Sequence, residues 1–243
     1  MVTPRLLIDA GNTRVKWAAV SGRRWLTRGE AGYDELAALS AQLAEGVRVY
    51  VASVASDAQI ARLQAALASA DIRWLESSTC FAEIENGYAS PIQLGVDRWM
   101  NLVGAWHRVR GAALVVSAGT ALTVDALNAT GRFIGGLIVP GSELMRTALR
   151  QGTARVEPAG GGCHDFPVTT ADAVESGIVA ALCGAVETQY ARLAAQTASR
   201  PPRCLITGGD AGRLLPHLRI AVEQVPALAL EGMAYVSEEA ERI

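Results

Sequence analysis

The sequence predicts an α/β fold of two similar halves, each with a mixed sheet and flanking helices. Residues 1–75 show apolar runs and helical spacings in the order β-β-β-α-β-α-β, which is typical of helices packed on a mixed sheet. A second three-stranded meander starts at Ala113 and repeats the opening pattern, although not its residues. We therefore expect an internal duplication, with a first half over residues 1–110 and a second half over residues 111–243.

The opening hairpin occupies residues 6–20. Its first strand is apolar and ends at Asp9, and Gly11 and Asn12 supply a turn at two positions that tolerate positive φ. Beyond the turn, apolar and polar side chains alternate with the period of a strand. A third strand over residues 24–30 completes the first meander.

The rest of the first half alternates helices and strands. In chain order the sequence predicts a helix over residues 33–45, a strand over 47–53, a helix opened by a Ser56–Gln59 capping box, a strand over 72–75 and a buried helix from Val96. Residues 77–93 lack periodicity, which predicts a long irregular loop. Such loops in compact domains are usually functional or mobile.

The second half follows a related order. The sequence predicts strands over residues 113–127 around a turn at Gly119 and Thr120, a strand over 132–139, a helix ending near Gly152, a long helix capped within 169–172, a strand over 203–207, a last strand over 220–225 and a closing helix from about Ala227. The strand at 203–207 runs into Gly208 and Gly209, where the backbone can approach a flat ligand closely.

The turn after Asp9 is a candidate phosphate site. Backbone N–H groups and the Asn12 and Thr13 side chains can donate to phosphate oxygens, while the Asp9 carboxylate suits a divalent cation or its waters. An ordinary asparagine-containing hairpin turn explains the same residues when they are taken alone. The interpretation as a phosphate site therefore requires further phosphate- or nucleotide-binding features elsewhere in the chain.

The start of the helix from Val96 is a candidate anion site. Asp97 in the first turn stabilises the helix dipole, which is a sufficient structural reason for a carboxylate there. Arg98 is electrostatically misplaced at a helix N-terminus, which indicates an anionic partner nearby.

Composition excludes several classes of protein. Half of the residues are apolar, 19% are charged and the net charge is −2, so nucleic acid is not expected as the main partner. The sequence shows neither a signal peptide nor an apolar stretch long enough to span a bilayer, so we expect no membrane partner and a cytoplasmic location. Four dispersed cysteines fit reduced thiols, and three isolated histidines lack the spacing of zinc ligands.

Four separated motifs carry a family resemblance. The chain lacks the P-loop and dinucleotide glycine motifs, but it contains Asp-Ala-Gly-Asn-Thr at 9–13, Gly-Val-Asp-Arg at 95–98, Ser-Ala-Gly-Thr-Ala at 117–121 and Thr-Gly-Gly-Asp at 207–210. In this order and spacing the chain resembles the type III pantothenate kinases, which include the Bvg accessory factor proteins. These kinases belong to the superfamily of acetate and sugar kinases, actin and the heat-shock ATPases.

The resemblance implies two ribonuclease-H-like halves with a nucleotide cleft between them, and ATP with Mg²⁺ as a substrate. The implied ATP-binding residues are Asp9, Ala10, Gly11, Asn12, Thr13, Arg14, Val15, Lys16 and Thr120, with Asp9 near the metal and residues 207–210 at the adenosine. The implied reaction is ATP-dependent phosphorylation of pantothenate to 4′-phosphopantothenate, the first step of coenzyme A biosynthesis.

The same resemblance implies the substrate site. The implied pantothenate-binding residues are Tyr88, Gly95, Val96, Asp97, Arg98 and Thr170, with Asp97 as proton acceptor and Thr170 supplied by the partner subunit of a homodimer. From pattern alone, Tyr88 is equally explained as a loop anchor and Thr170 as a helix cap.

Ser117 departs from the family pattern, which commonly has an aspartate there that contributes to a monovalent-cation site. A hydroxyl is a poorer potassium ligand than a carboxylate. We therefore expect either a reduced dependence on K⁺ or NH₄⁺, or an ion held by other groups.

Two alternative functions remain open at this point. One is a nucleotide-dependent regulatory protein on the same scaffold, and the other is a kinase or phosphatase acting on a different small molecule. The Asp97–Arg98 pair favours the kinase over the regulatory protein, because a regulatory switch needs no group that activates an alcohol.

Overall fold

The computed structural model describes residues 4–36, 39, 47–153, 160–197 and 200–242. The chain divides into two compact units, Met1–Arg108 with Ala227–Ile243, and Val109–Pro226. The boundary predicted between residues 110 and 111 puts residues 227–243 in the second half, whereas the structure groups them with the first unit.

The first unit contains a mixed sheet. Its strands are β1 (Arg5–Ala10), β2 (Arg14–Ser21), β3 (Arg24–Gly32), β4 (Arg48–Ser53) and β5 (Asp71–Trp74). The unit also contains a hairpin outside this sheet, formed by β6 (Cys80–Phe81) and β7 (Ile84–Asn86). The order β3-β2-β1-β4-β5 confirms the predicted meander, and β1 lies antiparallel to β2 and parallel to β4. The segment 77–93, which the sequence predicts to be irregular, contains the β6–β7 hairpin. The sequence gives no sign of this hairpin, because strands of two and three residues are too short to show periodicity.

The helices of the first unit are α1 (Asp57–Ala66), α2 (Val96–Val109), whose last residue counts with the second unit, and α6 (Leu228–Ala240); a 3₁₀ turn covers Pro91–Gln93. The predicted capping box at α1 is confirmed, since the Ser56 N–H donates to Gln59 Oε1 at 3.0 Å. The helix predicted over residues 33–45 lies largely outside the described residues.

Helix α6 is tied to the first unit by backbone packing and by polar contacts. Gly104 on α2 and Gly232 on α6 lie at their crossing, where a Cβ at Gly232 would be 1.9 Å from the Met100 carbonyl oxygen. Arg5 Nη1 donates to Ser237 Oγ at 2.8 Å, and Arg48 and Tyr50 both donate to the Glu241 carboxylate. These contacts explain why the closing helix belongs with the first unit.

The second unit repeats the meander. Its elements are β8 (Ala113–Ala118), β9 (Ala121–Leu127), β10 (Arg132–Pro140), α3 (Ser142–Gly152), α4 (Thr170–Ala194), β11 (Arg203–Thr207), α5 (Ala211–Leu214), a 3₁₀ turn (Leu215–His217) and β12 (Val222–Gln224). The order β12-β11-β8-β9-β10 again places an antiparallel meander beside parallel strands. The last strand is shorter than the 220–225 predicted, and the cap of α4 is Thr169, whose Oγ1 accepts from the Asp172 N–H at 3.2 Å.

Each unit has its own apolar core. In the first unit, buried side chains of β1, β2 and β4 pack with Leu63 and Leu67, and in the second unit those of β8 and β9 pack with α4 and β11. The predicted α/β fold with two similar halves is therefore confirmed. Within the described residues, helices long and apolar enough to cross a bilayer are absent.

Candidate active site

The opening hairpin places Asp9 close to its turn. Asp9 is the penultimate residue of β1 and lies opposite Lys16 of β2, and the Gly11 N–H donates to the Arg14 carbonyl oxygen at 3.1 Å. Asn12 and Thr13 are exposed at the tip. The turn uses no positive φ at Gly11 or Asn12, although both residues tolerate it. The hydrogen bond from Gly11 to Arg14 closes the turn.

The structure brings Asp97 close to Asp9. Val54, just beyond β4, donates its N–H to the Ala10 carbonyl oxygen at 3.1 Å, so the ends of β1 and β4 meet. A Cβ at Gly95 would lie 3.8 Å from Val54 Cγ1 and 2.7 Å from Asp97 Oδ1. Glycine at 95 therefore lets the Asp97 carboxylate fold back over the start of α2, beside these strand ends.

Burial and neighbouring charges shift the pKa values of both carboxyl groups. Burial raises the pKa of Asp9 to about 6, the neighbouring Asp97 charge adds to that rise, and Lys16 opposes it. Burial also raises the pKa of Asp97, while the Arg98 backbone N–H and guanidinium favour its charged form. A divalent cation would relieve this repulsion, and Mg²⁺ bound with a polyphosphate needs only one or two protein carboxylates. The residues present therefore fit Mg²⁺.

Arg98 and Tyr88 form a polar pair next to this site. Arg98 is only 4% exposed, its Nη1 donates to the Tyr88 hydroxyl at 2.9 Å, and its guanidinium lies 5.5 Å from the Tyr88 ring centroid. A nearly buried arginine at a helix N-terminus is a strong site for an anion. The structure thus joins the irregular-loop residue Tyr88 to the Gly95–Arg98 motif.

Sequence reasoning assigned no role at the site to three polar residues that lie near these motifs. Tyr33 and Gln59 contact the turn of the opening hairpin. Asn101 is 4% exposed and its Oδ1 is buried without a hydrogen-bond partner. The i, i+4 spacing from Asp97 could have identified Asn101, because residues so spaced share one face of a helix.

The second unit brings together the two other predicted nucleotide motifs. Thr207 pairs with Ser117 in the parallel β11–β8 ladder, and the Asp210 N–H donates to the Ala118 carbonyl oxygen at 3.0 Å. Gly208 has φ +98°, and a Cβ there would lie 2.1 Å from the Ala118 oxygen. Glycine is therefore required where the turn 207–210 crosses the end of β8, next to the exposed Thr120.

Ser117 places a hydroxyl in the sheet at the position where the family pattern commonly has an aspartate. Ser117 is paired with Thr123 of β9 and Thr207 of β11, so hydroxyl groups occupy adjacent positions on one face of the sheet. Thr170, which is the predicted pantothenate-binding residue of this unit, is exposed at the first position of α4.

Asp9→Asn is expected to stabilise the fold in a pH-dependent way. The Asp9 carboxyl binds its proton more tightly in the folded protein, with a pKa of about 6, than at its ordinary value of 3.8. Its ionisation therefore costs stability, beginning above pH 4 and complete above pH 6. At pH 8 we expect the free energy of unfolding of the variant to be higher than that of the wild type by roughly 2–3 kcal/mol, since one pKa unit is worth about 1.4 kcal/mol.

Urea unfolding at pH 4 and pH 8 measures this difference, which should vanish near pH 4. Asp71→Asn, at an exposed position of the same unit, serves as the control for the loss of a carboxylate. Equal stability of the Asp9→Asn variant and the wild type at pH 8 would contradict the assigned environment of Asp9.

Known proteins with related sequences match nearly the whole chain. The model of the type III pantothenate kinase family matches residues 5–192. The type III pantothenate kinase of Thiobacillus denitrificans is 53% identical over 235 residues, covering 96% of this chain and 96% of the relative. That of Nitrosospira multiformis is 41% identical over 239 residues, covering 96% of this chain and 91% of the relative.

Solved structures support the fold. A Campylobacter jejuni protein described as a Baf family transcriptional activator superposes with a TM-score of 0.66 at 20% identity, covering 98% of this chain and 100% of its own. A Sinorhizobium meliloti protein described as a 2-dehydro-3-deoxygalactonokinase superposes with a TM-score of 0.60 at 15% identity, covering 98% of both chains. At these identities the likeness concerns the fold alone and agrees with two ribonuclease-H-like halves. Sequence and fold together show that the chain belongs to the type III pantothenate kinase family.

Proposed function

We propose that this protein transfers the γ-phosphoryl group of ATP to the primary hydroxyl of pantothenate, with Asp97 as the proton acceptor. The product is 4′-phosphopantothenate, and the reaction is the first step of coenzyme A biosynthesis. One observation carries the assignment of roles. Asp97 lies beside Asp9 and next to the Arg98–Tyr88 pair within one unit, so a metal-binding group, a proton acceptor and an anion site adjoin.

The chemistry suits a late proton transfer. A primary alcohol is far too weak an acid for an aspartate to ionise before attack. In the loose transition state of phosphoryl transfer, the alcohol proton becomes acidic only as the new O–P bond forms. Asp97 then orients the hydroxyl and receives its proton, and burial, which raises the pKa of this carboxyl, makes it a better acceptor.

We propose that the glycine-containing turn of each unit has a nucleotide-binding role. In the first unit, backbone N–H groups and side chains of residues 10–16 would hold its phosphates, and Asp9 would hold Mg²⁺, which neutralises phosphate charge when bound. In the second unit, Thr120 and residues 207–210 would contact the nucleotide. Support comes from the exposure of Asn12, Thr13 and Thr120 and from the close approach of Gly208 to β8.

Pantothenate is proposed to bind Tyr88 and residues 95–98. Arg98 either holds the pantothenate carboxylate or offsets charge that develops in the transition state.

The identity of the product tests the proposed function directly. Phosphorus NMR after incubation with ATP, Mg²⁺ and pantothenate should show a phosphate ester on the primary hydroxyl, whereas ATP consumption without this ester would contradict it.

The monovalent-cation requirement is proposed to be weaker than the family's, because Ser117 and its ladder neighbours offer hydroxyls. Initial rates in K⁺ or NH₄⁺ against Na⁺ test this point. A ratio near one is expected, and strong K⁺ dependence would show that other groups hold the ion.

A cytoplasmic location is part of the proposal, since the cysteines are free thiols, as in a reducing compartment.

A homodimer with Thr170 supplied across the interface is the proposed assembly. Phe166 and Val168, which lead into α4, are 91% and 95% exposed in the single chain, and Ile138 of β10 is 61% exposed. Large apolar side chains exposed so fully are typical of an interface, and Phe166 and Val168 lie within four residues of Thr170.

Mixing two inactive variants tests the shared site. A dimer of one Asp97→Asn chain and one Thr170→Ala chain contains one intact site if Thr170 acts on the partner's Asp97. We expect the mixed sample, refolded together, to regain up to about a quarter of the wild-type rate, from the statistical share of mixed dimers. If the mixture stays as inactive as its components, Thr170 does not act across an interface.

No observation favours the regulatory alternative. The likeness to the Campylobacter jejuni protein concerns the fold, and the adjoining Asp9, Asp97 and Arg98 groups are what phosphoryl transfer to an alcohol needs.

A further inference from the structure

Two side chains from outside the opening hairpin hold consecutive carbonyl groups of its turn. The Tyr33 hydroxyl donates to the Gly11 carbonyl oxygen at 2.7 Å, and Gln59 Nε2 donates to the Asn12 carbonyl oxygen. Tyr33 follows β3, and Gln59 lies in the first turn of α1. Side chains from two separate segments of the first unit therefore hydrogen-bond to the turn.

Both donors are themselves fixed. Gln59 Oε1 accepts from the Ser56 N–H at 3.0 Å and from Ser56 Oγ at 2.9 Å, so the amide has one orientation and its NH₂ group faces Asn12. Tyr33 is half-buried and packs against the core cluster of the first unit. Neither side chain needs to be ordered by a ligand.

Holding these carbonyls also sets the direction of the next N–H groups. In a trans peptide the C=O and the following N–H point in opposite directions within one plane. The Gly11 carbonyl thus fixes the N–H of Asn12, and the Asn12 carbonyl fixes the N–H of Thr13. Both carbonyl oxygens, which would repel an anion, are turned toward donors of the protein.

We propose that Tyr33 and Gln59 are positioning residues for the nucleotide, because they aim the Asn12 and Thr13 N–H groups at the phosphates of ATP. This inference rests on the proposed function, in which the hairpin binds ATP. Neither residue needs to touch the nucleotide. Their contribution is preorganisation: an exposed turn that is already ordered does not lose its conformational freedom when the ligand binds.

A double variant removes both donors with little change in shape. Tyr33→Phe deletes only the hydroxyl, and Gln59→Met keeps the side-chain length without an N–H donor. The matched control is Tyr50→Phe with Gln64→Met, which removes a tyrosine hydroxyl bonded to Glu241 and an exposed glutamine of the same helix, both from the first unit.

The measurements are the Kd of MgADP by titration calorimetry, the KM of ATP, the KM of pantothenate, kcat and the thermal midpoint. We expect about a tenfold increase in the MgADP Kd and in the ATP KM, equivalent to about 1.4 kcal/mol. The pantothenate KM and kcat should stay within about twofold. The control should lose at least as much thermal stability while keeping its nucleotide affinity.

Unchanged nucleotide affinity in the folded double variant would overturn the inference. An equal rise in the ATP KM of the control would also overturn it, since general loosening would then be the cause. If the double variant does not fold, Tyr33→Phe alone decides, with a severalfold rise in the MgADP Kd expected and no rise contradicting it. Failure of the wild type to turn over pantothenate would count against the proposed function instead.

Discussion

Replacing Asp97 with asparagine is expected to lower kcat by roughly 10²–10⁴, the contribution typical of a positioned general base, and by more if the substrate hydroxyl also loses its orientation. The amide can still accept a hydrogen bond, but it cannot take the proton that leaves the alcohol. The KM of ATP should change little, because the proposed phosphate contacts lie in the opening hairpin. Steady-state kinetics with each substrate varied in turn give both values.

The matched control is Asp57→Asn, which removes a carboxylate from the first turn of a different helix, α1. Both variants remove a carboxylate from the first turn of a helix, so the general effect of losing a negative charge at a helix N-terminus is controlled for. The control should keep kcat within about twofold. An Asp97→Asn variant with a wild-type kcat would remove Asp97 from the chemistry.

The second large effect is expected from Gly232→Ala. A Cβ at this position would lie 1.9 Å from the Met100 carbonyl oxygen and 3.0 Å from the Gly104 backbone nitrogen, and both are backbone atoms of α2. Helices α2 and α6 would have to separate, which opens the core between them. We expect a loss of about 3–5 kcal/mol in the free energy of unfolding, as for severe overpacking.

Urea unfolding measures the loss, and Gly184→Ala provides the comparison. Gly184 lies in α4 with nothing within 4 Å of its ideal Cβ, so alanine there should stabilise by about 0.5–1 kcal/mol through helix propensity. Because α2 carries Asp97, any Gly232→Ala protein that folds should also lose activity. Wild-type stability in the Gly232→Ala variant would contradict the described crossing.

Local patterns predicted most of the secondary structure. Alternation marked both meanders, and the Ser56–Gln59 box marked the start of α1, because these signals depend on neighbours in sequence. The β6–β7 hairpin was missed, since its strands are too short for periodicity. The return of α6 to the first unit was missed because an isolated glycine such as Gly232 is a weak signal until its partner helix is known.

The candidate site was predicted only in part by physical reasoning. The turn chemistry indicated a phosphate at residues 9–13, and the helix dipole singled out Arg98. Only the family resemblance implied that Asp9 and Asp97 lie in one site, because nothing in the sequence between them fixes the distance from one carboxylate to the other. Gln59 was recognised as a capping residue, but its other end, which reaches Asn12, is visible only in three dimensions.

Pantothenate-dependent release of ADP tests the central claim most directly. A coupled assay with ATP and Mg²⁺, run with and without pantothenate in potassium buffer, should show turnover only when pantothenate is present, and Asp97→Asn should abolish that dependence. If ATP binds but pantothenate elicits no ADP release above background, the assignment of Asp9, Asp97 and Arg98 to phosphoryl transfer is wrong.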